Sequence, residues 1–452
     1  MKIISHTQTG YRRRIEELTR QPEPNLNVRQ TVRHILSEIK TKGDTALVEI
    51  SNQLGAEQIT RETLELRGKV PRPHADIQRA VSIALRNIES FHRGRLHKTW
   101  MGKNAQGARV GERYDPFDRV GIYVPGGTAP LLSTALMTVT LARVAGVREI
   151  VVCTPAPVHP MVHYAVKKAG ATEFYRVGGA QAIAAMAFGT GSIRKVDKIF
   201  GPGNAYVVEA KRQVFGSVSV DLLPGPSEIA VLADQSADPA WVAADLLAQA
   251  EHGPGSQIFL VTPDRSFLQS VAEHIQTQLE TLERKQYLLE TLNLGCHLVH
   301  VPSLKAGVEL IEWIAPEHAS LNCRDASKIA RTIRHCGAVF IGNFSPVAVG
   351  DYAAGPSHTL PTGGASRSFS GLTVDQFVRR TSVVEYDAKS LAKIRKTVET
   401  LASIEAMGAH QHSVAIRFLK KKVQKKVSPS ARKNSQSKKK SSKTKPSGKK
   451  KS

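Results

Sequence analysis

A few short stretches concentrate the residue types that bind metals or move protons. In DPAWVAADLLAQAEHGPG, Gln249 and His252 stand three residues apart at the end of a helical pattern that Pro239 opens and Gly253 and Pro254 stop. In a last helical turn, exposed carbonyls and the negative dipole end favour a cation, so an amide oxygen and an imidazole on one face suit a metal. The same His also fits simple charge placement at a helix end. IAPEHASLN sets Glu317 beside His318, directly after Pro316. An imidazole suits general-base work near neutrality and an adjacent carboxylate can activate water, although such adjacency is common by chance. VGDYAAGPSHTLPTGG reads as a Gly- and Pro-rich loop, yet it carries Asp351 and His358. IEAMGAHQHSV places Glu405 and His410 on a short terminal helix whose other reading is a solvated face.

These residues need a scaffold. From about residue 118, short β-branched runs alternate with amphipathic stretches, each switch marked by Gly or Pro. DRVGIYV, EIVVC, EFYRV, KVDKIF, SEIAVLA, QIFLV, CHLVHV and AVFIG read as strands. LLSTALMTVTLARVAG, AQAIAAMAFG and NAYVVEAKRQVFG read as the helices between them. The pattern predicts an α/β fold with mostly parallel sheets covered by helices. Before residue 100 the periodicity is helical, as in RQTVRHILSEIKTKG and ADIQRAVSIALRNIESF. Glycine turns follow several strands: VPGGTAP after Tyr123, VGGAQA before Gln181, FGPGNAY around Asn204 and PGPSE before Glu228. Such turns let a ligand approach backbone N–H groups, but none is a GxGxxG fingerprint. Spacing alone therefore reaches an α/β enzyme that uses a nucleotide, and stops there.

Composition sets the outer bounds. The chain has 452 residues, 41% of them hydrophobic, and no apolar run near the ~20 residues of a membrane span. MKIISHTQTGYRRRIEEL lacks the apolar core and cleavage site of a secretory signal, so the expected location is cytoplasmic. Cys153, Cys296, Cys323 and Cys336 form no CxxC pair and read as reduced structural thiols. The formal net charge is +24, but residues 420–452 hold fourteen Lys and one Arg with no acid. Without those fifteen charges the other 419 residues carry only +9. The Lys- and Ser-rich end is too polar and self-repelling to bury apolar surface, and it reads as a disordered tail.

Taken in order, GIYVPGGTAPLLSTALM, VGGAQAIAAMAFGT, GPGNAYVVEAKRQV, DLLPGPSE, LLAQAEHGP, APEH, GDYAAGPSH and AMGAH resemble the histidinol dehydrogenase family, over about residues 10–418. The resemblance implies one zinc per subunit, held by Gln249, His252, Asp351 and His410 and orienting the amine and imidazole of L-histidinol. Such a donor set leaves about +1 of formal charge on the bound metal. It implies a catalytic pair, Glu317 and His318, and oxidation of L-histidinol to L-histidine through bound histidinal with reduction of two NAD. Substrate contacts map to Ser227, Gln249, His252, His318, Asp351, Glu405 and His410, with His358 nearby, and NAD contacts to Tyr123, Gln181 and Asn204.

The family fold implies two incomplete Rossmann-like domains and a homodimer that exchanges terminal segments. Mapped here, 1–120 is a helical segment with the first part of domain 1, 121–228 domain 2, 229–372 the rest of domain 1, 373–418 the exchanged segment, and 419–452 the tail. The tail departs from the family's usual ending. One rival is a zinc- and NAD-dependent dehydrogenase of another small polar alcohol, such as a dihydroxypropane sulfonate, against which Glu405 and the complete ligand set argue. A rival of another class is polyanion or nucleic-acid binding through the tail.

Overall fold

The computed structural model of the protein describes residues 1–18, 26–55, 57–126 and 130–419. The expected disordered tail lies outside them from residue 420 on. The chain divides into two compact units, Met1–Met101 with Gly111–Val383, and Gly102–Val110 with the chain from Val384.

The larger unit contains two wholly parallel sheets. One runs in the order Glu173–Tyr175, Glu149–Cys153, Arg119–Tyr123, Lys198–Phe200, Ser219–Val220. In chain order that is 3-2-1-4-5, so the sheet changes direction between its first and fourth strands, where α/β folds form ligand crevices. The other sheet repeats the plan with Glu228–Ala233 as first strand, flanked by Gln257–Thr262 and then Cys296–His300 on one side and by His318–Asn322 and then Ala338–Ile341 on the other. Lys2–Ser5 adds an outer strand beside Cys296–His300. A further three-stranded sheet has the order Val378–Glu385, Arg109–Pro116, Trp100–Lys103.

In both parallel sheets successive side chains point to opposite faces, and each face is covered by helices. In the six-stranded sheet, Ile229, Val231, Ile258, Leu260 and Leu298 pack toward the helices Pro239–Ala250 and Arg265–Leu279. Their neighbours Ala230, Leu232, Phe259, Val261 and Val299 pack toward Leu304–Ile314. The five-stranded sheet does the same, with Ile122, Val152, Phe174 and Phe200 on the face covered by Leu132–Ala145 and Tyr123, Cys153 and Ile199 on the face covered by Gly179–Phe188. Phe174 and Phe200 are completely buried, each contributing about 1.5–3 kcal/mol by leaving water. Among the described residues the cysteines are free thiols, and no helix is long and apolar enough to cross a membrane.

Several sequence expectations need correction. The region before residue 100 is not purely helical, because Lys2–Ser5 is a strand. HASLN, unread as a strand, is the buried strand His318–Asn322. Asp351 is not in a loop but in the short helix Val347–Tyr352. Glu405 and His410 do not share one helix: Glu405 ends Ala388–Ile404, and after Ala406 at φ 55° a second helix, Gly408–Ala415, carries His410.

The smaller unit is organised by polar contacts. Asn104 Oδ1 accepts from the N–H groups of Gln106 and Ala108 at 3.1 and 3.0 Å, while its Nδ2 donates to Tyr386 Oη at 2.6 Å. Asp387 and Ser390 form a capping box that starts Ala388–Ile404.

Candidate active site

Asp238 accepts from Ala240 N–H at 2.8 Å and Pro239 takes the first turn, so the helix Pro239–Ala250 begins where the sequence suggests. It ends one residue before Glu251, which leaves Gln249 in the last turn but His252 just beyond it. Beyond it Gly253 turns the chain away at φ +104°, a conformation that favours glycine. Gln249 is 1% exposed, and neither polar atom of its amide has a hydrogen-bond partner. This helix packs against Val347–Tyr352, the carrier of Asp351.

Glu317 and His318 are delivered by a sharp exit from the helix Leu304–Ile314. Ala315 adopts the left-handed conformation at φ 51°, which costs a non-glycine residue about 1–2 kcal/mol, and the chain then enters the strand that begins at His318. His318 pairs in register with Ile229 on one side and Ala338 on the other. The pair therefore sits at the N-terminal edge of its sheet.

Glu228 ties the pair down. The carboxylate of Glu317 accepts from Ser227 Oγ–H and from Glu228 N–H, the latter at 3.0 Å. Glu228 Oε2 in turn accepts from Glu317 N–H at 3.3 Å, and Oε1 accepts from Gly363 N–H at 2.9 Å. His318 Nδ1 lies 2.9 Å from the carbonyl oxygen of Glu228. A carbonyl can only accept, so Nδ1 carries the proton and Nε2 is left as the basic nitrogen. Burial lowers the His318 pKa, partly opposed by Asp351, and so favours the neutral ring. Burial also raises Glu317, to about 7, against the opposing pull of Ser227 and Glu228 N–H.

His318, Asp351 and His358 line one cavity of about 370 Å³, walled by Phe340 and Val349. His358 Nδ1 donates to the Asp351 carbonyl at 3.0 Å, so its Nε2 accepts from Thr134 Oγ–H at 3.2 Å. Electrostatic interactions link Glu317 with His252 and Asp351, and His358 with Asp351, His252 and His318. Glu405 and His410 belong to the smaller unit, where both are exposed. Among the described residues, no group of three or more His, Cys, Asp or Glu side chains is already arranged to hold a metal.

A second cavity, of about 400 Å³, is lined by Tyr123, Gln181 and Asn204 together with Gly126, Gly178 and Gly179. It lies at the C-terminal ends of the five-stranded sheet, at the change of direction. Tyr123 Oη accepts from Gly179 N–H at 3.1 Å, and Asn204 Oδ1 accepts from Tyr206 and Val207 N–H at 3.1 Å each. Gln181 is 4% exposed with an unpartnered Oε1. Gly178, the N-cap of the helix Gly179–Phe188, brings no side chain of its own to the helix end.

A model of the histidinol dehydrogenase family matches residues 18–418. Curated histidinol dehydrogenases from Synechococcus sp. and Escherichia coli are 43% and 40% identical, each match covering 86% of this chain and 91% of the relative. The crystal structure of histidinol dehydrogenase from Elizabethkingia anophelis superposes with a TM-score of 0.87 at 33% identity, covering 92% of this chain and 98% of that one. The chain belongs to the histidinol dehydrogenase family. It is an NAD-dependent dehydrogenase that oxidises histidinol in histidine biosynthesis, and the rival alcohol is not favoured. Two residues that hold this candidate site together escaped the sequence reading. Glu228 figured only as the end of a glycine turn, and Thr134 carried no signal beyond a hydroxyl in an apolar helix.

Proposed function

We propose that L-histidinol is oxidised to L-histidine at the cavity of His318, Asp351 and His358, in two hydride transfers to NAD with histidinal held between them. His318 Nε2 takes the alcohol proton as the first hydride leaves. Glu317 takes a proton from the water that adds to the aldehyde, and His318 takes another as the hydrate loses the second hydride. Ser227 orients Glu317 and contacts the substrate, with Glu405 and His410 completing the contacts from the terminal segment. The observation that carries this reading is the bond between His318 Nδ1 and the Glu228 carbonyl, which leaves Nε2 basic.

Gln249, His252, Asp351 and His410 would hold one zinc per subunit. Two imidazoles, an amide oxygen and a carboxylate are a suitable donor set, and the buried, unpartnered amide of Gln249 supports it, since each unmet polar group costs about 1–3 kcal/mol. Bound zinc supplies a Lewis-acidic anchor for the substrate's amine and imidazole. NAD would occupy the cavity of Tyr123, Gln181 and Asn204. The N-terminus of the helix Gly179–Phe188, whose N-cap Gly178 has no side chain to fill it, supports a pyrophosphate there.

The same reading extends to a cytoplasmic homodimer exchanging residues 373–418, and to the domain boundaries near 120, 228 and 372. Placement of Lys2–Ser5 on the sheet of residues 228–341 supports a first domain built from separated stretches. Assay with L-histidinol and NAD is expected to give two NADH per histidine. Chelation should abolish turnover and zinc restore it. Release of histidinal after one NADH, or full activity in verified metal-free protein, would sink the corresponding part of the reading.

A further inference from the structure

The turn that leads to the cavity-lining Asn204 is held by an ion pair whose side chains have no exposed surface. The side chains of Lys211 and Asp221 are both 0% exposed and bonded to each other. Lys211 stands on the helix Ala205–Val214, and Asp221 directly follows the edge strand Ser219–Val220. Their remaining bonds converge on one residue. Lys211 Nζ donates to the Gly201 carbonyl at 2.9 Å, and Asp221 Oδ2 accepts from Gly201 N–H at 2.8 Å. Gly201 has φ +110°, and a Cβ there would lie 2.1 Å from the Tyr123 carbonyl oxygen, so this turn is seated on the end of the Tyr123 strand.

We infer that the Lys211–Asp221 pair is a positioning device for NAD, clamping the N–H and C=O of Gly201 so that the turn through Asn204 keeps its binding shape before the cofactor arrives. Desolvating two charges is costly, and well-packed apolar residues commonly serve stability as well or better. The pair's distinctive product is a turn with both polar groups satisfied, three residues before a cavity-lining side chain. A turn fixed in advance spares NAD the entropy of ordering it. This inference rests on the reading of the second cavity as the NAD site.

The test uses full-length, zinc-loaded protein and calorimetric titration with NAD. Lys211→Met, Asp221→Asn and their double variant should each raise the NAD Kd about ten-fold, with KM for histidinol within about two-fold of wild type. The double variant should be no worse than the weaker single, because both act through one turn. A variant with a wild-type melting temperature and a wild-type Kd would overturn the clamp. Asn204→Ala separates the two readings: weakened binding there beside wild-type Kd in the clamp variants removes only the clamp, whereas wild-type Kd in all of them removes the NAD site too. Hydrogen exchange of unmodified protein needs no variant. The clamp predicts a Gly201 amide already protected without NAD, and fast exchange that slows only on NAD addition would overturn it.

Discussion

Glu317 and His318 are neighbours in sequence to which the proposed function gives different tasks, and the difference comes from what each is bonded to. His318 has its tautomer set by a carbonyl, so its remaining nitrogen serves as base in each oxidation, provided it passes the first proton to solvent before the second. Glu317 accepts two hydrogen bonds, yet burial still holds its pKa near 7, within reach of the working pH. Only the second half-reaction requires water to lose a proton. Glu317→Gln should therefore slow single-turnover oxidation of histidinal by about 10²–10⁴-fold while slowing the alcohol step far less. In the wild type, the histidinal step should fall as pH drops below about 7, because protonating Glu317 removes the base, and the variant should lack that limb. Equal losses in both half-reactions would dissolve the division of labour.

At the level of elements, legibility tracked how locally each one is determined. The helix Pro239–Ala250 was readable because Pro239 and Gly253 mark its ends in the chain itself. The strand His318–Asn322 was not, because His318, Ser320 and Asn322 are polar and its place between Glu228–Ala233 and Ala338–Ile341 is set by pairing outside the segment itself. Lys2–Ser5 is four residues long and takes its register from residues 297–300. The site was legible in the same partial way: glycine turns pointed to a nucleotide, but the metal and substrate residues were joined only by family resemblance. Buried polar positions on strands also make a stability prediction. His297 is 1% exposed, stacks on Phe259 at 5.2 Å and has an unpartnered Nδ1. Burial, aided by Lys2 and the N-terminus, lowers its pKa from 6.5 to about 4. Between those values the unfolded chain binds the extra proton, so this contribution is present above about pH 6.5 and lost as pH falls to about 4, a change of about 3 kcal/mol. His297→Phe should gain stability over wild type across that window in urea titrations. A gap independent of pH would show that His297 does not set it.

For the whole molecule, two stretches toward the C-terminus invite experiment. The Lys-rich end, residues 420–452, should confer salt-sensitive adhesion to polyanions, and its deletion should abolish that adhesion without changing histidinol turnover. Loss of turnover in a folded truncation would give the tail a catalytic part. The segment carrying Glu405 and His410 raises the larger question of which subunit it serves. Ser390 and Ala402 are the buried residues of Ala388–Ile404, Gly408–Ala415 has none, and Leu401, Ile404 and Met407 are 55%, 77% and 46% exposed. Such an apolar surface fits cover by a second copy of the chain, as the exchanged segment of the proposed homodimer requires. Consider a His252→Ala subunit paired with a His410→Ala subunit. With exchange, one site inherits both defects and the other combines an intact His252 with an intact donated His410. Each mutant homodimer should be inactive, and co-refolding equal amounts should give about half heterodimers with one complete site each, restoring roughly a quarter of wild-type activity. Without exchange every subunit keeps one missing ligand, so verified heterodimers with no rescue would refute the shared site.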